Sequence, residues 1–373
     1  MGIKRVRPDP NILTIADLAK EATRRLPKRE LEYYNGGAGD TVTLRDNEDA
    51  FSRYKLRPRV LRNVDDPDLS TTIFDTEVAF PLGFSPAATH RIAHPDGELA
   101  TSRAAAANNI PMCLSSWSTE SLEAVHEAGR LNPYAMQISF LRNPEFTKSI
   151  IKRAEAAGYK ALFVNVDLPT IGNRLNEARN NFTFPSHFTF PNLQFLRGDE
   201  DAKNPVGTSD VDYDATINWN DTIPWLREQT SMQIWLKGVF TAEDVQLAIE
   251  HKVDGVVISN HGGRQLDGVP AALDALRECA PIAKGRIGVA MDGGIRRGSD
   301  IFKAIALGAD FCFVGRIPLW GLAYKGEQGV DLAIKLLYEE FRSTMMLTGC
   351  KTVRDIRRDH LAVLGTNGVL AKL

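Results

Sequence analysis

The chain has 373 residues, 43% of them hydrophobic, and a formal net charge of -2 with a pI near 6.4, which leaves room for one large α/β barrel plus extensions and excludes a polyanion such as nucleic acid as its main partner. Its four cysteines, Cys113, Cys279, Cys312 and Cys350, have no CxxC spacing, which excludes a zinc centre or disulfide framework and suits buried thiols in a reducing compartment. No apolar run approaches the ~18 residues of a membrane span, and Met1-Gly2-Ile3-Lys4-Arg5 leads into prolines rather than a signal core, so neither a membrane anchor nor secretion is expected.

Residues 1–79 read as an N-terminal helical extension, because Ile15, Leu18, Ala19 and Ala22 recur at helical spacing until Pro27 interrupts the pattern. Apolar runs then follow at 80–85, 110–114, 133–137, 162–166, 233–237, 255–259, 287–292 and 311–315, with helical patterns between most of them. Three stretches, 154–164, 248–258 and 304–314, repeat one design of helix end, tight turn and buried strand, and they put Asn165, Ser259 and Gly315 at equivalent strand ends. Continuous apolar strands alternating with helices indicate a parallel sheet covered on its outer face, and eight of them indicate a (β/α)8 TIM barrel over 80–350. Helix starts are marked at 118–121 and 241–244, where hydroxyls can cap free N–H groups. After strand 4 a long polar loop at about 186–223 is either a mobile lid or contact loop at the barrel mouth or an inert surface insertion. Residues 351–373 form a C-terminal tail.

In such a barrel every loop after a strand meets at one face, so residues distant in sequence become neighbours. The run Ser259-Asn260-His261-Gly262-Gly263-Arg264 delivers one imidazole and one guanidinium to that face, with glycines between them that let the backbone turn. Ala88, Ser115, Gln137, Ser139, Asn165, Asp167 and Lys237 join from the earlier strands. Asp292-Gly293-Gly294 with Arg296, and Gly315-Arg316, combine exposed backbone N–H groups with two arginines, a phosphate-binding chemistry. Lys237 follows Ile234-Trp235-Leu236, so its ammonium sits at the mouth, suited to compensating negative charge on a cofactor ring.

These segments, together with Tyr33-Tyr34-Asn35-Gly36-Gly37, Ala93-His94-Pro95-Asp96-Gly97-Glu98, Leu114-Ser115-Ser116-Trp117 and Gly172-Asn173-Arg174, resemble the FMN-dependent 2-hydroxy acid oxidising family that includes the glycolate oxidases. The resemblance implies FMN as cofactor and His261 as catalytic base, oriented by Asp167. It implies Arg174 and Arg264 as a clamp on the substrate carboxylate, assisted by Tyr33. Hydrogen bonds to charged groups contribute roughly 1.5–3 kcal/mol each, enough to fix the α-carbon of a small acid. The same likeness assigns Lys237 to the flavin ring, Arg296, Gly315 and Arg316 to the phosphate, Asp292 to the ribityl chain, and Ala87, Ala88, Ser115, Gln137, Asn165 and Ser259 to the ring's surroundings. The implied reaction converts an (S)-2-hydroxy acid to the 2-oxo acid, with dioxygen reoxidising the flavin to give hydrogen peroxide. His261 takes either the α-proton or the hydroxyl proton. No metal is implied, and a homotetramer or homo-octamer is.

Ser139 departs from the family, which commonly places a tyrosine two residues after the strand-3 glutamine; a roomier pocket that favours substrates bulkier than glycolate is expected. Asn165 replaces a usual threonine, and Pro86-Ala87-Ala88-Thr89-His90 replaces the common Pro-Thr-Ala-Met-Gln along the flavin. His90 is either a substrate-side group or a structural one, and Trp117 either walls the pocket or belongs to the core. Two other activities fit parts of the pattern, a quinone-linked 2-hydroxy acid dehydrogenase and a non-oxidative flavin-barrel isomerase. The chain ends Ala371-Lys372-Leu373, one substitution from the Ser-Lys-Leu peroxisomal address; in a eukaryote this favours the peroxisome, and otherwise the cytoplasm is expected.

Overall fold

A computed structural model of the chain describes residues 9–194, 212–365, 368 and 370–373. Eight parallel strands close into a barrel: β1 (Leu82–Phe84), β2 (Met112–Leu114), β3 (Tyr134–Ile138), β4 (Ala161–Asn165), β5 (Gln233–Val239), β6 (Gly255–Ile258), β7 (Gly288–Asp292) and β8 (Phe311–Val314). Closure is made by β8 against β1, with Cys312 opposite Leu82 and Val314 opposite Phe84. Each strand coincides with an apolar run of the sequence, β3 reaching one residue beyond its run and β4 starting one residue before it, because a strand covered by helices on one side and filled by side chains on the other is apolar at every position. β5 is the exception in length. It continues to Val239 past a register shift at Lys237, where Gly238 takes a φ of 104°.

The barrel interior is filled, not hollow. Cys113, Ala135, Phe163, Trp235, Val257, Ala290, Phe311 and Phe313 pack there. Gly255 and Gly288 flank the Trp235 indole, and a Cβ on either would overlap it, so these two strands are glycine where the largest interior ring lies. A hairpin of two short strands, Thr71–Ile73 and Thr76–Val78, closes the end of the barrel away from the site by setting Phe74 edge-on to Phe163 and Trp235, at ring-centroid distances of 5.8 and 5.7 Å.

The extension contains helices Ile15–Arg25, Lys28–Asn35 and Val42–Arg53. The first starts at a capping box between Thr14 and Asp17 and buries Ile15, Leu18 and Ala22 against the long final helix Arg316–Thr348. The C-terminal tail is not a loose end: Leu361–Leu364 pairs with Tyr54–Leu56 of the extension on one edge and with Leu370–Lys372 on the other. Ser121 and Thr241 cap their helices through Ala124 N–H and Asp244 N–H. The loop after β4 is shorter than expected at its far end, because Asn218 caps a helix, Trp219–Gln229, that starts before Pro224. Residues 195–211 of that loop, like residues 1–8, lie outside the described residues. Among the described residues no helix is long and apolar enough to cross a membrane.

Candidate active site

Chain connections after the barrel strands enclose a cavity of about 700 Å3. Every site residue nominated from the sequence lines it except Asp167 and Ser259, which brace residues that do. These residues lie far apart in the chain; barrel closure brings the strand-end residues together, and docking of the extension adds Tyr33.

The turn after β6 carries His261, whose backbone takes a left-handed φ of 56°, an uncommon conformation for a residue with a side chain. Gly263 follows at a φ of 74°, and a Cβ there would lie 2.7 Å from the Leu44 backbone nitrogen, so the close approach of the extension requires glycine. His261 Nδ1 lies 3.0 Å from Asp167 Oδ2 and 3.3 Å from Oδ1. Donation from Nδ1–H to the carboxylate fixes the tautomer and leaves Nε2 as the basic nitrogen. Burial pulls the imidazole below its ordinary range; Asp167 opposes this, while Lys237 and Arg174 push it further down. The ring is therefore neutral near pH 7 and can accept a proton. Burial also works to raise Asp167, but His261 and Lys237 outweigh it and hold the carboxyl below its usual value.

Gln265, four residues beyond His261, ties this turn to the loop after β4. Its amide nitrogen donates to the carbonyls of Asp167 and Thr170 at 2.8 and 2.9 Å, and its oxygen accepts from Gly172 N–H at 3.0 Å. The His261 imidazole and the Asp167 carboxylate thus sit on two loops held in one register.

Arg174 and Arg264 face one another across the cavity with Glu177 between them. Arg264 donates to Glu177 Oε1 at 3.2 Å, and Arg174 approaches the same oxygen at 3.7 Å. Arg264 also donates to the Tyr33 carbonyl and lies over the Tyr33 ring at 5.1 Å. Burial, reinforced by Arg174, brings Arg264 down to about 10, so it remains charged at neutral pH. Two guanidiniums share one carboxylate, and Arg174 Nε is buried without a hydrogen-bond partner. The cluster carries one uncompensated positive charge and can accept a second carboxylate. Tyr33 stacks on Phe182 at 4.3 Å with planes 3° apart, which fixes its phenol at the cavity.

Lys237 is 3% exposed. Its ammonium donates to Ser259 Oγ at 2.9 Å and pairs with Asp292 Oδ2 at 3.2 Å. Burial works against its charge, but Asp292 and Asp167 more than offset this and raise it above its ordinary value, so it stays protonated. Asp292 is fully engaged, accepting from Ser259 at 2.5 Å and Ser85 at 2.7 Å as well.

Beside Ala87 and Ala88, Gln137 accepts from Ser116 N–H at 3.1 Å and Ser115 Oγ at 3.3 Å and donates to Ser139 Oγ at 3.1 Å. Asn165 Oδ1 is buried with no hydrogen-bond partner, an acceptor awaiting a donor inside the cavity. At the other end, Gly293 and Gly294 take φ values of 105° and 79°, and Gly315 precedes the first turn of helix Arg316–Thr348, so unpaired N–H groups gather there. Arg296 lies over Trp320 at 4.9 Å and pairs with Glu48 at 2.7 Å. Arg316 has a bracing role that its sequence position does not reveal: it donates to the carbonyls of Tyr34, Gly36 and Gly262 at 2.9, 2.8 and 3.1 Å, tying the extension to the His261 turn.

Trp117 lines the cavity and also packs edge-on against Phe190, so both roles open to it in the sequence hold. His90 is structural: it is buried, its ring bonds Thr101, and its backbone N–H donates to the buried Glu98. Sequence reasoning missed Glu177, Phe182, Phe184 and Tyr213, all of which line the cavity. Glu177 could have been found from its spacing three residues after Arg174. Tyr213 had no local signal.

The FMN-dependent dehydrogenase family model matches residues 22–363. Oxidase FUB9 of Fusarium oxysporum f. sp. lycopersici is 51% identical over 97% of this chain and 94% of its own length. 2-Hydroxyacid oxidase 1 of Homo sapiens is 43% identical over 95% of this chain and 99% of its own. Among solved structures, a mandelate oxidase variant with (S)-mandelic acid superposes with a TM-score of 0.87 at 34% identity, covering 94% of this chain and 98% of the other. With a matching barrel and a matching sequence along nearly its whole length, this chain belongs to the FMN-dependent 2-hydroxy acid oxidase family.

Proposed function

We propose that the protein oxidises (S)-2-hydroxy acids bulkier than glycolate to their 2-oxo acids, with His261 as base and dioxygen as the final acceptor, giving hydrogen peroxide. The observation that carries this reading is the convergence on one cavity of an Asp167-paired imidazole and two guanidiniums that share a single carboxylate.

The cavity's chemistry fits FMN. The orphaned Asn165 oxygen suits a ring N–H; Lys237 suits a ring that gains negative charge; the glycine N–H groups at 293, 294 and 315, with Arg296 and the helix start at Arg316, suit a phosphate. When bound, FMN would supply the two-electron acceptor, with dioxygen as the proposed final oxidant. The protein's own residues do the rest. Arg174, Arg264 and Tyr33 hold the carboxylate, which limits where the α-carbon and its hydroxyl can lie. Of the two hydrogens lost from the H–C–O–H unit, His261 takes one as a proton, and Asp167 stabilises the resulting imidazolium. The small Ser139 leaves space for a substrate side chain, next to Trp117 and the Tyr33–Phe182 stack.

The test is anaerobic mixing of the yellow holoprotein with lactate, glycolate, mandelate and longer 2-hydroxy acids while the flavin band is followed, then admission of air. Bleaching by the bulkier acids, with peroxide on aeration, is expected. Bleaching that air does not reverse would assign another acceptor, and glycolate outpacing every bulkier acid would refute the substrate reading. We further propose a homotetramer or homo-octamer, measurable by light scattering, and peroxisomal import in a eukaryotic host through Ala371-Lys372-Leu373, measurable by imaging a chain that lacks those three residues.

A further inference from the structure

Tyr213 reaches the cavity from the far side of the long loop after β4. Its backbone forms an antiparallel bridge to Leu141, secured on either side by Arg142 N–H to the Asp212 carbonyl at 2.9 Å and Asp214 N–H to the Phe140 carbonyl at 3.0 Å. This pins it to the chain just beyond β3, the strand whose end carries Gln137 and Ser139. Its side chain lines the same cavity as Ser139, Trp117 and Arg174.

Burial raises the phenol above its ordinary value, while Arg174 and the polar side chain of Trp117 work in the other direction. Trp117 and Arg174 can only donate, and the Asp167 carboxylate is committed to His261. The phenol's own proton therefore has a natural acceptor in a carboxylate held by Arg174. The ring, meanwhile, borders the same cavity as Ser139 and Trp117.

We propose that Tyr213 is a substrate-binding and specificity-determining residue, its phenol donating to the substrate carboxylate beside Arg174 and its ring forming, with Trp117, an aromatic wall against the substrate side chain. This rests on the reading of the cavity as a 2-hydroxy acid site. It extends that reading by naming the favoured class as 2-hydroxy acids with an aromatic or other flat apolar side chain, because an aromatic wall pairs best with another ring.

The experiment titrates pyruvate and phenylpyruvate, two 2-oxo acids that need no turnover to bind, into the FMN-loaded protein and follows the perturbation of the flavin spectrum. Tyr213→Phe removes only the hydroxyl and should weaken both ligands by about tenfold or more, as expected for a lost hydrogen bond to a charged group. Tyr213→Ala removes the wall as well and should weaken phenylpyruvate about fivefold more than pyruvate, the loss expected of one aromatic contact. FMN content and melting temperature serve as folding controls. Binding of both acids to Tyr213→Phe within twofold of wild type overturns the proposal while leaving the carboxylate site intact. Failure of the wild type to bind either acid overturns the 2-hydroxy acid reading and the Tyr213 role together.

Discussion

Replacing Asp167 with Asn preserves the shape of its contact with His261 and deletes its charge. At the observed separation of 3.0 Å, two unit charges in an effective dielectric of about 20 interact by roughly 5.5 kcal/mol. The amide oxygen of Asn still accepts the Nδ1–H bond, and the His261 side chain is 23% exposed, so screening takes part of that figure. About 3–5 kcal/mol of imidazolium stabilisation should be lost, slowing substrate-dependent flavin reduction by about 10²–10⁴-fold. The pH dependence carries an independent signature. His261 acts as a base only when neutral, so the rate rises with pH through its folded pKa, which burial holds below the ordinary value. Asp167 is the group that pulls this pKa upward, and its loss should move the rising limb to lower pH while the plateau falls. Anaerobic stopped-flow at single turnover across pH 5–9, on protein with FMN content matched to wild type, reads both effects. A plateau within threefold of wild type, or a limb that moves to higher pH, would refute the reasoning.

Other perturbations follow from the same geometry. Arg264→Lys keeps a positive charge but loses the planar fork that bonds Glu177 and the Tyr33 carbonyl; KM for 2-hydroxy acids should rise by about 10–100-fold with a smaller change in kcat, read by steady-state oxygen uptake. Lys237→Met strands the buried Asp292 with only Ser85 and Ser259 as partners, and the apoprotein should lose about 3–5 kcal/mol of stability, read by denaturant titration; an unchanged midpoint would show that the pair is not stabilising. His90 is buried and burial holds its pKa below the unfolded value of about 6.5, so the unfolded chain takes up a proton that the folded chain refuses and stability is lost as pH falls below about 6.5. His90→Gln should flatten the fall in Tm between pH 6.5 and 5, measured by scanning calorimetry. Ser139→Tyr should fill the space shared with Tyr213 and depress turnover of mandelate more than that of glycolate, compared as kcat/KM ratios.

The barrel was legible because its physical cause is local. A strand between a helical layer and a filled interior must be apolar throughout, so runs such as 255–259 and 311–315 announce themselves, and the helix caps at Ser121 and Thr241 are satisfied by residues three positions away. His261, Asp167 and Arg264 were legible as neighbours for a related reason: polar residues at the ends of apolar strands have one shared destination once the strands close. Arg174, well past the end of β4, was legible only through the family resemblance of Gly172-Asn173-Arg174. Pairings across the cavity were not legible. Nothing near Arg316 in the chain indicates that its guanidinium binds carbonyls of Tyr34, Gly36 and Gly262, and the three-residue spacing that pairs Glu177 with Arg174 gives no sign that the same carboxylate also meets Arg264, 87 positions away. Tyr213 is the clearest case. It lies in a polar stretch without periodicity, and its place beside β3 comes from backbone bonds to residues more than seventy positions earlier. Residue pattern reports what each segment must bury. Which side chains then meet depends on how distant segments dock, and no stretch of the chain holds that information alone.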